Sequence, residues 1–404
     1  MRTFLSDSLR QTPEGREADE ILRSCVHCGF CNATCPTYQV LGDERDGPRG
    51  RIYLIKEMLE NSAATRETQH HLDRCLTCRA CETTCPSGVQ YNRLLEIGRE
   101  AVESSVKRPV TERLQRAFIL RTIPRPAVFR PLLRLARLFR PLLPVEVKKA
   151  VPVSIPKTER WPETKQQRKV ILLEGCVQSV TAPRINLAAA KVLDSLEIQA
   201  IPAAGCCGAL SHHLSREEKT LATVKSNIDR WWPMIEAGAE AILLTASGCA
   251  PTVSDYGRLL EQDRNYAKKA QKISALSHDI SAFLEGEDLG QFASPANGDQ
   301  RIAFHSPCTL QHGLKRAGKV ETLLARLGFK LLAVQDGHLC CGSAGSYSIL
   351  QKKLSQQFLV AKLENLEQGD PAVIATANIG CLMHLQSGTE RPVKHWIELL
   401  GQNG

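Results

Sequence analysis

Eight of the sixteen cysteines fall into two copies of one spacing, Cys25-x2-Cys28-x2-Cys31-x3-Cys35-Pro36 and Cys75-x2-Cys78-x2-Cys81-x3-Cys85-Pro86. Thiolates at this spacing hold iron–sulfur clusters. The loop folds back so that the first three sulfurs point at one cluster, while the fourth lies too far along to reach it and ligates the other. The spacing therefore predicts two 4Fe–4S clusters. One sits on Cys25, Cys28, Cys31 and Cys85, the second on Cys75, Cys78, Cys81 and Cys35, so the two motifs must pair in space. Two structural zinc sites are the bland alternative, but zinc knuckles need neither a third cysteine nor a trailing proline. A disulfide framework fits worse. Residues 1–20 are polar and mixed in charge, without the apolar stretch of a signal peptide, and a cysteine-rich chain with no export signal points to metal ligation in a reducing compartment.

The other eight cysteines form a repeat. Cys176, Cys206, Cys207 and Cys249 recur as Cys308, Cys340, Cys341 and Cys381, with Cys-Cys-Gly and Gly-Cys neighbours preserved at Gly208, Gly342, Gly248 and Gly380. Short apolar runs, Val170-Ile-Leu-Leu173, Ala241-Ile-Leu-Leu244, Arg301-Ile-Ala-Phe304, Leu331-Leu-Ala-Val334 and Ala372-Val-Ile-Ala375, alternate with helical stretches. That alternation predicts an α/β fold with mostly parallel strands. The cysteines lie beyond strand ends, at the sheet edge where ligands bind in such folds. Four thiols on one edge can hold a metal, a further cluster or a redox thiol pair; buried small hydrophobes are the bland reading. His305 and His384 lie beside Cys308 and Cys381 as possible ligands or proton carriers, or as ordinary hydrogen-bonded histidines.

The elements that must position the first eight cysteines read as helical. Arg49 to Leu59 places Ile52, Ile55 and Leu59 on one face, with Pro48 at its start. Further helices are expected over Thr65 to Asp73 and Tyr91 to Val102. The expected organisation is an α-helical ferredoxin domain over residues 1–105, a basic proline-rich linker over 106–168, and a duplicated cysteine-rich α/β domain over 169–404.

Net charge is concentrated in the linker. Residues 107–149 hold twelve Lys or Arg and two acids, Glu112 and Glu146, against a net +9 for the whole chain. Prolines from Pro109 through Pro156 to Pro162 break the segment, and Pro131 to Arg140 reads as a basic amphipathic helix. Such a piece can dock on anionic lipid headgroups or on partner subunits, or can be a solvated strap. Nucleic acid is not the expected partner, because the arginines alternate with proline and leucine instead of aromatic stacking platforms. No run approaches the length of a transmembrane helix. No G-x-G-x-x-G and no G-x4-G-K-[ST] loop is present. Removing two electrons from an organic substrate usually needs a flavin or nicotinamide, so this chain is expected to relay electrons for a separate catalytic subunit.

The stretches Cys25-Val-His-Cys-Gly-Phe-Cys-Asn-Ala-Thr-Cys-Pro-Thr-Tyr38, Asp46-Gly-Pro-Arg-Gly-Arg-Ile-Tyr-Leu-Ile55 and Leu72-Asp-Arg-Cys-Leu-Thr-Cys78, with the repeat, resemble the glycolate oxidase (glycolate dehydrogenase) iron–sulfur subunits over essentially the whole chain. The chain also resembles subunits of lactate utilisation and anaerobic glycerol-3-phosphate dehydrogenase, and the B subunit of heterodisulfide reductase. The resemblance implies an oxidoreductase complex in which flavin-binding subunits oxidise glycolate, a 2-hydroxy acid, to glyoxylate. Electrons then cross two 4Fe–4S clusters toward a quinone or other acceptor, in the cytoplasm and peripherally on the inner membrane. The alternative it implies is an enzyme acting on a disulfide or thiol at the C-terminal cysteines. The heterodisulfide reductase relatives close each repeat with a Cys-x2-Cys pair, where this chain has Thr252 and His384, so four cysteines per repeat remain.

Overall fold

The computed structural model describes residues 1–144, 148, 151–152, 159–293 and 300–401. Glu146 and Pro156, named above, lie outside the described residues. Two compact units are present. One comprises Met1–Gln115 and His338–Phe358, the other Arg116–Gly337 and Leu359–Gly404.

The first unit is helical. Its main helices are Pro13–Ser24, Pro48–Asn61, Arg66–Asp73 and Tyr91–Ser105. Thr12 and Thr65 cap two of them, each accepting a backbone N–H at 3.0 Å. Ile52, Ile55 and Leu59 meet Leu22, Leu94, Leu95 and Val102 in one core. Gly98 permits that approach, since a Cβ there would stand 2.8 Å from Ile55. Each main helix that precedes a motif ends at or just before its first cysteine. The chain then turns through left-handed residues at matching positions, His27 and Gly29 in one motif, Thr77 and Arg79 in the other. Short helices Phe30–Ala33 and Ala80–Thr84 follow before Cys35 and Cys85. Left-handed conformation is uncommon for non-glycine residues and costs of order 1–3 kcal/mol. Its repetition at His27 and Thr77 shows that both loops bend at the same point of the motif.

The second unit carries two four-stranded parallel sheets. Strands β1 (Arg168–Leu173), β2 (Ile198–Ala203), β3 (Ala241–Leu244) and β4 (Ser277–Asp279) form one; β5 (Arg301–His305), β6 (Lys330–Leu332), β7 (Val373–Thr376) and β8 (Val393–His395) form the other. The orders are β2-β1-β3-β4 and β6-β5-β7-β8, the same topology twice. The central strands are almost wholly buried, as parallel strands covered on both faces must be. Ser247 N donates to Ala377 O at 3.0 Å and Gly248 N to Asn378 Oδ1 at 3.2 Å, joining the two halves beyond β3 and β7. The linker forms a helix Pro126–Leu138 that runs through Pro131 and begins earlier than its sequence suggests. Among the described residues, no helix is long and apolar enough to cross a membrane.

Candidate functional site

In the first unit, each motif's thiols lie beside one sulfur of the other. The Cys31 thiol is pushed up to about 11 by burial and by the neighbouring Cys25, Cys85 and Cys28 sulfurs. The Cys81 thiol is pushed well above its ordinary value by burial and by Cys78, Cys75 and Cys35. Cys25, Cys28, Cys31 and Cys85 also line one cleft, which Cys81 reaches too, with Arg49 and Tyr91 on its walls. Crowded thiols that resist ionising when free suit a soft cationic centre, which takes up their charge; the all-sulfur donor set fits iron–sulfur clusters. The two sets differ in depth. Cys28 is exposed, whereas Cys35, Cys75 and Cys81 are all buried.

The second set has polar company that the cysteine spacing did not reveal. Tyr91 donates its hydroxyl to Cys75 Sγ at 3.6 Å, and Thr77 N lies 3.4 Å from the same sulfur. Arg99 donates to the Leu72 and Cys75 carbonyls at 2.8 and 2.9 Å. Thr37 Oγ1 lies 3.2 Å from Cys35 Sγ. Behind Thr37 stand Arg51, Asp46, His71 and Arg74. A signal for Arg51 was present, because it shares the apolar face of its helix with Ile55 and Leu59.

The repeat cysteines are divided between the units. In the second unit, Cys176, Cys206, Cys207 and Cys249 come together beyond β1, β2 and β3. The Cys206 thiol is drawn down to about 3 by its Cys176 and Cys207 hydrogen bonds, while Cys176 and Cys207 are raised. Gly208 N also faces Cys206 Sγ at 3.4 Å. Lys219, whose ammonium donates to Leu120 O at 2.9 Å, adds positive charge near Cys206; burial lowers its pKa, as do Arg125, Arg121 and Arg216. Two of those arginines come from the basic linker.

Cys308 and Cys381 are buried in the second unit. His305 there is 2% exposed, its Nε2 has no hydrogen-bond partner among the described residues, and burial, Lys362 and His384 hold its pKa well below the ordinary value. Cys340 and Cys341 belong to the first unit, in the segment His338–Phe358. Gly342 N faces Cys340 Sγ at 3.4 Å, the same turn as at Cys206. Buried Tyr347 senses both Cys75 and Cys340. Its hydroxyl is raised first by burial, and Arg51 and Arg74 oppose the rise.

Comparison with known proteins gives these sites a context. Residues 21–89 match the 4Fe-4S dicluster domain, and residues 170–254 and 302–386 each match the cysteine-rich domain. The chain is 53% identical over 404 residues to the glycolate oxidase iron-sulfur subunit of Escherichia coli (strain K12), covering 100% of this chain and 99% of that one. It is 28% identical over 400 residues to the probable glycolate oxidase iron-sulfur subunit of Bacillus subtilis (strain 168), covering 92% and 89%. Lactate utilization protein A of Shouchella clausii (strain KSM-K16) is 24% identical over 205 residues, covering 48% of this chain and 82% of that protein.

Proposed function

We propose that this chain, which belongs to the family of glycolate oxidase iron–sulfur subunits, carries electrons from flavoprotein subunits that oxidise glycolate to glyoxylate, toward a quinone or another acceptor. Cys25, Cys28, Cys31 and Cys85 hold one 4Fe–4S cluster, and Cys75, Cys78, Cys81 and Cys35 hold the other. Bound clusters supply one-electron carriage. The chain's own part is to hold them at fixed depths and to set the charge around them. The observation that carries this reading is the grouping of thiols across the two motifs, with Cys85 beside Cys31 and Cys35 beside Cys81. Of the repeat cysteines, Cys176, Cys206, Cys207 and Cys249 of the second unit form a further metal or redox site. The test is iron, acid-labile sulfide and zinc per chain after anaerobic purification, followed by reduction with glycolate and the flavoprotein subunits. Roughly eight irons with matching sulfide, reduced only when flavoprotein is present, support the reading. Zinc without sulfide sinks it.

The linker helix gives this subunit a means of sitting at a membrane surface. Val128, Leu132 and Leu135 are exposed at helical spacing, and Phe139 at the helix end and Leu142 in the turn after it are exposed too, while Leu133 packs inward with Val151 and Val180. Arg130 and Arg134 are exposed on the same helix. An apolar stripe flanked by arginine suits the headgroup layer of an anionic membrane. Serine at Leu132, Leu135 and Phe139 is expected to release the chain from anionic vesicles in flotation; unchanged binding rejects the docking.

A further inference from the structure

A buried charge network backs onto the second thiol set. Arg51 is 1% exposed and Asp46 is 0% exposed. Arg51 donates from Nε to His71 O at 2.8 Å, from Nη1 to Thr37 Oγ1 at 3.1 Å, and from Nη2 to Asp46 Oδ1 at 3.4 Å. Asp46 Oδ2 accepts from Arg74 at 2.7 Å, and Oδ1 lies 3.0 Å from His71 Nδ1. Thr37 then connects the network to sulfur, with Oγ1 at 3.2 Å from Cys35 Sγ and 2.7 Å from Asp46 O.

This arrangement is costly to build. Taking a guanidinium out of water costs several kcal/mol even when it is paired, and well-packed apolar side chains commonly serve stability as well. Two guanidiniums share the single Asp46 carboxylate, so the pairing leaves positive charge uncancelled. Asp43, Asp46 and His71 bring ligand atoms within 4.8 Å of one another, as a cation site would. Both Asp46 oxygens are already taken by arginine, so the cations of this site are Arg51 and Arg74, of which only Arg51 is wholly buried. Arginine does not lose its proton in proteins, which makes the charge permanent.

Among the described residues, nothing equivalent stands behind the first set. Arg49 approaches that loop, where a Cβ on Gly29 would meet Nη1 at 2.5 Å, but it is bound to Glu44 at 2.6 Å and both side chains are part-exposed. Water and Glu44 screen it.

We infer that Arg51 is a positioning residue that raises the reduction potential of the centre held by Cys35, Cys75, Cys78 and Cys81, selectively over its neighbour, through its buried charge and the Thr37 link to Cys35. Net charge and hydrogen bonds to sulfur are among the factors that set such potentials. Reduction by one electron from the donor flavoprotein adds one negative charge beside Arg51, and the fixed cation favours that form. No proton need accompany the electron. The inference rests on the ligand sets proposed above.

The experiment uses the full chain, purified without oxygen, with wild type, Arg51→Gln, Arg51→Lys and Thr37→Val compared. Iron and sulfide are counted, and midpoint potentials are read by EPR during stepwise reduction with dithionite. Wild type without sulfide-bearing iron fails the ligand reading and not the role of Arg51. Given full iron, Arg51→Gln is expected to shift one midpoint to more negative potential and leave the other in place, and Arg51→Lys to recover most of the shift. A Cys85→Ser background, lacking the first centre, is expected to retain the shifted signal. Both midpoints unmoved, or both moved equally, overturns the inference. Should Arg51→Gln fail to hold iron, Thr37→Val decides with the cation in place: a smaller negative shift of the same midpoint supports the link, and an unmoved one rejects it.

Discussion

The Tyr91 hydroxyl donates to Cys75 Sγ at 3.6 Å from the wall of the helical core, where Tyr91 is itself buried. A donor on a ligand sulfur spreads the charge that accumulates on reduction. Tyr91→Phe keeps the ring and removes only the donor. The expected result is full iron content, a stability change of about 1 kcal/mol or less, and a more negative midpoint for one centre. Thermal melting and an EPR-monitored titration check both halves. Equal shifts in both centres reject the assignment of Tyr91 to Cys75.

Cross-ligation predicts an unusual pattern of non-additivity. Cys85→Ser and Cys25→Ser lie sixty residues apart, in different motifs, yet remove the same centre. Each alone is expected to halve the iron, to about four per chain, and the double variant to lose no more. Cys85→Ser with Cys75→Ser is expected to remove both centres. Ligation within each motif would give the reverse, with the Cys85–Cys75 pair non-additive and the Cys85–Cys25 pair additive.

What the sequence reveals depends on how local the cause is. β1, β3, β5 and β7 are legible because central parallel strands must be continuously apolar, as Ala241–Leu244 is. β2 is not, since Ile198-Gln-Ala-Ile-Pro-Ala203 is an edge strand that tolerates Pro202, and β4 and β8 have three residues each. The linker helix is read short at Pro131 because proline usually breaks a helix, yet here the helix continues past it. The cysteines declare themselves by spacing. Their polar neighbours other than Arg51 do not, because Asp46 meets His71 and Arg74 only after the helices pack.

The glycine after each Cys-Cys pair is set by backbone geometry. Gly342 has φ +91°, and a Cβ there would stand 2.7 Å from Ser355 O. Gly208 has φ +92°. Gly342→Ala combines a strained φ with a backbone clash, and about 2–4 kcal/mol of destabilisation is expected. Gly42→Ala, at φ +65° with nothing within 4 Å, isolates the strain alone at about 1 kcal/mol. Equal losses of melting temperature in the two variants would show that the Ser355 approach relaxes freely.

Asp279 gives the second unit a defined pH response. It lies at the end of β4, is 3% exposed, and caps the following helix by accepting from Ser281 N at 2.9 Å and Ser281 Oγ at 2.6 Å. Its other oxygen, Oδ2, has no partner among the described residues. Burial raises the carboxyl to about 6 from an ordinary 3.8, against the Ser281 hydrogen bonds and the Arg316 charge. The folded chain therefore holds this proton more tightly than the unfolded chain does. The resulting stability is fully present below about pH 4 and is lost as pH rises through about 6, a change of about 3 kcal/mol. Asp279→Asn keeps the cap acceptor and does not titrate. Relative to wild type, its melting temperature is expected to rise between about pH 4 and pH 6 and to level off above that. A difference that stays constant across that range would mean that the carboxyl is neutral, or ionised, throughout.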